Sequence, residues 1–208
     1  MSTAQVHEGQ AHNSSPPMTT VFNDPQNFNV KHPLQNAWTL WFDFPNKKTN
    51  SNTWSQNLRE IVTFATVEDF WGMQNNITRA SDLPFGSNYH LFKEGIKPMW
   101  EDPANERGGK WVVQLPRKQD EANKCWLYSM LALIGESFNN EDDICGLVFS
   151  CRRNVYRISL WTRLADNKDI VMEIGRQLRA NSGIPAQLKL EFSQHETVHS
   201  QEKISYEA

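Results

Sequence analysis

Apolar positions along the chain recur with two different periods, and these periods predict the elements. Residues 37–44 crowd aromatic and β-branched side chains together and stop at Pro45, as a strand does. Residues 59–66 predict a second strand. Thr66 then stands as an N-cap, with Asp69 three positions on and Phe70, Met73 and Ile77 forming the apolar stripe of a helix. Short strands are expected at residues 89–93 and 110–115. A second helix is expected from residue 120 to about 135, where Trp126, Leu127, Met130, Leu131, Leu133 and Ile134 recur at helical spacing. Residues 144–152 and 155–163 read as a hairpin. Asp166 is expected to cap a third helix striped by Ile170, Ile174 and Leu178 and ended by Gly183 and Pro185. Residues 187–192 predict a last strand, and a polar tail follows.

Loops are expected at residues 46–57, 81–87 and 95–109. The uneven alternation of strands and helices, with one clear hairpin, predicts an α+β fold. A curved, mostly antiparallel sheet with helices packed on one face fits it best. Residues 1–31 are rich in Ser, Thr, Asn, Gln, His and Pro and show no periodicity. They are expected to be a disordered tail ahead of a single domain at residues 32–208. The 208 residues suffice for one full core.

Charge narrows the function. A net charge of −3 gives no bulk basic field for a long nucleic acid, so any such role must rest on a local site. The three cysteines form no C-x-x-C pair and read as reduced thiols. The N-terminal stretch lacks the basic and apolar regions of a signal peptide, Ser2 stands where myristoylation needs glycine, and no apolar run approaches a membrane span.

The eight tryptophans are the unusual entry in the composition. Trp38, Trp41, Trp111 and Trp126 fall in strand or helix patterns and read as fold residues, whereas Trp54 and Trp100 stand in loops. Both could anchor their loops by packing. Trp100, however, is followed by Glu101. An indole beside a carboxylate suits a flat cationic ligand: the ring face attracts the charge, and the carboxylate accepts N–H donors from a base edge. In the hairpin, a turn at residues 153–156 would pair Arg152 with Arg157, and the period of two puts Arg157, Ser159 and Trp161 on one face. Lys110 points away from Trp111. These cations are either solvated strand charges or a phosphate-facing cluster beside an aromatic slot. A second surface is suggested by Val67 and Trp71, one turn apart beside the core stripe of the first helix. Leu127 and Leu131 stand at the margin of a wide stripe on the second. A broad core face is the other reading of that stripe.

Several segments carry a resemblance: His32-Pro33-Leu34-Gln35-Asn36, Thr66-Val67-Glu68-Asp69-Phe70-Trp71, Pro98-Met99-Trp100-Glu101-Asp102, Arg107-Gly108-Gly109, Ile134-Gly135-Glu136-Ser137-Phe138 and Ile158-Ser159-Leu160-Trp161-Thr162. In this order, over about residues 32–192, they resemble the eukaryotic translation initiation factor 4E family. The resemblance implies a cupped antiparallel sheet with helices on its convex face. It implies a protein that binds the 7-methylguanosine cap of messenger RNA and is not an enzyme. Trp54 and Trp100 would sandwich the methylated guanine. Glu101 would hold its N1 and N2 edge by the carboxylate and its O6 by the backbone N–H. Trp161 would lie against the N7-methyl group, and Lys110, Arg152 and Arg157 would contact the phosphates.

The implied partners are capped messenger RNA, the initiation factor 4G scaffold and 4E-binding inhibitor proteins. The two protein classes share a Tyr-x-x-x-x-Leu-hydrophobic motif, which His32, Pro33, Val67, Trp71, Leu127 and Leu131 would hold. No cofactor, metal or membrane is implied. The place of action is the cytoplasm, with the nucleus a second site. Lys110 stands where animal members have arginine, Arg157 where they have lysine, and Tyr128 where they have glutamate; Asn154 replaces a basic residue that many members carry in the turn. The alternative function is a specialised or cap-binding-deficient member acting as a translational repressor.

Two motif matches point elsewhere and are set aside. His195-Glu196-Thr197-Val198-His199 spells H-E-x-x-H, but the segment is polar, Thr197 and Val198 are poor helix formers, and little chain follows for a third zinc ligand. Residues 107–113 faintly resemble an RNA-recognition signature but lack its paired base-stacking aromatics.

Overall fold

The two periods of the sequence become one sheet and three helices. The computed structural model describes residues 31–44, 57–195 and 204–208. Among these, eight strands run in the order β1 (Pro33–Asp43), β2 (Leu58–Thr66), β3 (Asn88–Lys93), β4 (Gly109–Leu115), β5 (Ile144–Cys151), β6 (Tyr156–Thr162), β7 (Leu190–Gln194) and β8 (Ser205–Glu207). The helices are α1 (Val67–Asn76), α2 (Gln119–Ile134) and α3 (Lys168–Ser182). Every pair of neighbouring strands is antiparallel, and their order across the sheet is β2-β1-β3-β5-β6-β4-β7-β8. The chain divides by its contacts after His32, and Pro33–Ala208 is one compact unit. The tail expected at residues 1–31 and the loop expected at 46–57 fall almost wholly outside the described residues.

Alternation sorts the strands into two faces. One face carries Leu91, Trp111, Val113, Leu115, Leu147, Phe149, Ile158, Leu160 and Phe192, which pack in a single core with Phe70 and Met73 of α1, Trp126 and Met130 of α2, and Ile174 and Leu178 of α3. The helices therefore cover the convex face of the curved sheet, as expected. The opposite face is left open. Trp111 fixes α3 to the sheet: its indole N–H donates to the Val171 carbonyl at 2.9 Å, and Gly175 leaves room for the ring. Ser129 and Ser182 join α2 to α3 by a buried hydroxyl pair at 2.8 Å.

Thr66 caps α1 as expected, accepting the Asp69 amide at 3.2 Å. The cap of α3 is Asn167 and not Asp166: the Asn167 side chain accepts the Ile170 amide, while Asp166 reaches out to Arg107. Either residue type suits the position, and the helix starts one residue later than its stripe indicates. The hairpin register is also corrected. Ser150 pairs with Arg157 and Cys151 with Tyr156, so Arg152 falls in the turn and its amide donates to the Val155 carbonyl. A slip of two residues leaves every side chain on its expected face; a slip of one would have reversed them. The polar tail contains β8, whose Tyr206 stacks on Phe192 with ring centroids 5.8 Å apart. It escapes sequence reading because three residues show too little alternation.

A methyl group on Gly175 would approach the Trp111 ring to 2.5 Å. Gly175→Ala should therefore destabilise the protein by about 1–3 kcal/mol, despite alanine's better helix propensity. Urea unfolding measures this, and a raised midpoint would show that α3 is free to shift away.

Candidate functional site

The open face holds a cavity of about 430 Å³ bordered by β3, β4, β5, β6 and the loop between β3 and β4. Six residues singled out in the sequence line it together: Trp100, Glu101, Lys110, Arg152, Arg157 and Trp161. Trp54 lies outside the described residues. The strand register explains the gathering. Lys110 lies opposite Trp161, Val112 opposite Ser159, and Ser150 opposite Arg157, so alternate residues of three adjacent strands meet on one surface.

The β3–β4 loop carries Trp100 and Glu101, both exposed, with 43% of the tryptophan open to solvent. Its backbone is braced from within. Asn105 is fully buried, and its amide group donates to the carbonyls of Lys97 at 2.9 Å and Met99 at 2.8 Å. The Asp102 carboxylate accepts the amides of Lys97 and Ala104. Ile96 packs into a small second core with Phe92, Cys145 and Val148, and Ala104 and Trp161 close over it. An exposed indole on a braced loop is a prepared surface for a ring.

The cations are held on β4, β6 and the turn between β5 and β6. Arg152 is half-buried, donating from Nη2 to the Asn88 side-chain oxygen at 2.9 Å and from Nη1 to the carbonyls of Ser87 and Cys151. Burial, and then repulsion from Arg157, pull its guanidinium below the usual value. Arg117 donates to the Arg152 carbonyl at 2.9 Å and stacks over Tyr156, which fixes the turn. Lys110 places its ammonium 5.9 Å from the Trp161 ring centre. Behind Trp161 stands buried His195, with ring centroids 4.2 Å apart. Burial, and secondarily Lys110, push its imidazole down to about 4. His195 is therefore a neutral packing residue at neutral pH. Glu196 and His199 of the H-E-x-x-H match lie outside the described residues.

An aromatic face, an adjacent carboxylate and a cluster of cations across one cavity suit a flat base joined to an anionic tail. Among the described residues, no cysteine lines the cavity; Cys145 lies in the small second core, where burial raises its thiol to about 12 and leaves it unreactive. A neighbouring depression of about 630 Å³ shares Val112 and Arg157 but is edged by Glu191 and Glu207, which suit an anion poorly. The sequence reading missed Asn88, His90 and Ser150, which also line the cavity, and placed Ser159 on the cavity face without giving it a role. Their signal was polar residues alternating with core residues in β3, β5 and β6.

The second surface lies on the helices. Val67 and Trp71 of α1 are exposed, and Trp71 meets Phe70 edge-on at 5.1 Å. Leu127 and Leu131 of α2 are half-buried at the rim of the core. A depression of about 300 Å³ between the two helices joins Gln74 and Ile77 to Leu127 and Tyr128. Pro33 is exposed at the start of β1; His32, in the preceding unit, is itself exposed. No helix among the described residues is long and apolar enough to cross a membrane.

Comparison with known proteins shows the family and the fold. The family described as Eukaryotic initiation factor 4E matches residues 33–208. Eukaryotic translation initiation factor 4E of Xenopus laevis is 46% identical over 169 residues, covering 80% of this chain and 78% of that one. Eukaryotic translation initiation factor 4E-1 of Schizosaccharomyces pombe is 41% identical over 181 residues, covering 86% and 82%. Among solved structures, the C. elegans eIF4E-3 complex with the 4E-binding protein Mextli and cap analog superposes with a TM-score of 0.76 at 38% identity, covering 84% of this chain and 100% of that one. The Ascaris suum eIF4E-3 complex with the m2,2,7G cap gives 0.76 at 39%, covering 85% and 98%.

The depressed His195 value has a consequence for stability. The folded pKa of about 4 lies below the ordinary value of 6.5, so the unfolded chain takes up this proton first. Its contribution is complete above about pH 6.5 and is lost as pH falls toward 4, to a total of about 3 kcal/mol. Wild type should therefore lose about 3 kcal/mol more than His195→Gln between pH 7 and pH 4 in urea unfolding. Parallel losses would show that the imidazole is not held neutral.

Proposed function

Because this chain belongs to the eukaryotic initiation factor 4E family, we propose that it binds the 7-methylguanosine cap of messenger RNA and recruits a scaffold protein to start cap-dependent translation. The observation that carries the proposal is the convergence of Trp100, Glu101, Trp161, Lys110, Arg152 and Arg157 on one cavity. The solved neighbours hold a cap analog in one case and an m2,2,7G cap in another.

In this reading the base stacks on Trp100, with Trp54 on its other face. The Glu101 carboxylate accepts N1–H and N2–H, and its backbone N–H donates to O6. Trp161 borders the N7-methyl group, and Lys110, Arg152 and Arg157 take the phosphates. Methylation at N7 makes the base a cation. That strengthens its attraction to each indole face by about 2 kcal/mol when desolvated, and it makes N1–H a better donor to the carboxylate. Discrimination against unmethylated guanine thus needs no dedicated methyl pocket. Binding and release suffice for this role, which includes no catalytic step, and the place of action is the cytoplasm, with the nucleus a second site.

The helical surface serves the protein partners in the same proposal. Val67, Trp71, Leu127 and Leu131, with Pro33, hold the Tyr-x-x-x-x-Leu-hydrophobic helix of scaffold 4G or of a 4E-binding inhibitor. Exposed Trp71 is its anchor, since large aromatic residues in desolvated contacts dominate such interfaces. One solved neighbour is itself a complex with a 4E-binding protein.

7-Methyl-GTP should quench the tryptophan fluorescence of the wild-type chain saturably. Trp100→Leu should weaken binding by roughly thirtyfold or more and abolish retention on cap resin. Normal retention by a folded Trp100→Leu protein would sink the stacking arrangement. Trp71→Ala should lower affinity for a Tyr-x-x-x-x-Leu peptide by about thirtyfold while leaving the 7-methyl-GTP titration unchanged. Equal loss of both would mark a folding defect and refute two separate surfaces.

A further inference from the structure

We propose that Asp43 is a positioning residue for the phosphate end of the cavity, its buried carboxylate setting the Arg152 guanidinium through Asn88. This rests on the cap-binding reading above and deepens it. Asp43 ends β1 on the open face and is 1% exposed. One of its oxygens accepts the Asn88 side-chain amide at 2.8 Å and meets His90 Nε2 at 2.6 Å. Asn88 has then committed its N–H side to the carboxylate, so its oxygen faces the other way, where Arg152 Nη2 donates to it at 2.9 Å. The carboxylate thus decides which way the Asn88 amide points.

Strand register makes the relay possible. Asp43 pairs with Asn88, Asn88 with Ser150, and Ser150 with Arg157, so the row runs across four strands from the carboxylate to the second guanidinium. Charge supplies the reason for it. Arg152 and Arg157 repel each other, and Arg152 is half-buried. Asp43 opposes both effects. With Nη1 committed to two carbonyls and Nη2 to Asn88, the guanidinium plane is fixed before a ligand arrives. Its Nε–H and second Nη2–H remain for phosphate oxygens. A buried carboxylate beside an anion site is costly unless it is hydrogen-bonded, and here Asn88 donates to one of its oxygens and His90 Nε2 contacts the same atom.

The test compares 7-methylguanosine, which has no phosphate, with 7-methyl-GTP by fluorescence titration. Asp43→Asn should weaken 7-methyl-GTP by about tenfold, one charge-assisted contact. It should leave the nucleoside within about twofold, because base stacking is untouched. Asn88→Ala cuts the same relay without removing the charge, and serves if Asp43→Asn folds poorly; the same phosphate-selective loss is expected. Adding Asn88→Asp to Asp43→Asn brings a carboxylate directly against Arg152 and should restore most of the loss. Equal weakening of both ligands, or a full phosphate gain retained in Asp43→Asn and Asn88→Ala, overturns the proposal while leaving cap binding intact. Failure of the wild-type chain to bind either ligand overturns the underlying reading and the proposal with it.

Discussion

The whole arrangement depends on the period of two in the central strands. Each strand residue facing the cavity is the sequence neighbour of a residue locked in the core: Lys110 beside Trp111, Arg157 beside Ile158, Trp161 beside Leu160, His90 beside Leu91. The core residues are almost fully buried and interlock with three helices, so the backbone between them has little freedom. The polar side chains on the open face inherit that rigidity. This is why cations that would be solvated surface charges on an isolated strand form a fixed constellation.

Electrostatics works locally against the global balance. The chain as a whole is slightly acidic, yet Lys110, Arg152 and Arg157 all line one cavity. Field at a site depends on nearby charges and on the low dielectric around them, not on net charge. The neighbouring depression edged by Glu191 and Glu207 sharpens the contrast, since it offers an anion repulsion within a short distance of Arg157.

Much of this was legible in the sequence, for physical reasons that differ by element. Seven of the eight strands and all three helices announce themselves through alternation, capping residues and stripes. The grouping of Arg152, Arg157 and Trp161 survived a wrong hairpin register because an even slip preserves faces. The shared cavity with Trp100 and Glu101 needed the resemblance, since no local pattern states where a loop folds back. Least legible was the set Asp43, Asn88 and His90. Its members come from two strands separated in sequence by β2 and α1, and each alone is an ordinary polar residue at a strand position. Only pairing Asp43 with Asn88 reveals them as one network. Trp54 lies outside the described residues, so the second face of the expected sandwich rests on the sequence alone.

The internal bracing of the β3–β4 loop bears on the kinetics of recognition. Asn105 and Asp102 hold the backbone around Trp100 by side-chain bonds made entirely within the protein. The loop's conformational entropy is therefore lost during folding, not at the moment of encounter. In the proposed site, a ligand stacking on Trp100 would meet this loop already shaped, with no ordering step of its own. On this loop's account, differences among ligands of the proposed site would be carried by how long each one stays and not by how often each one docks.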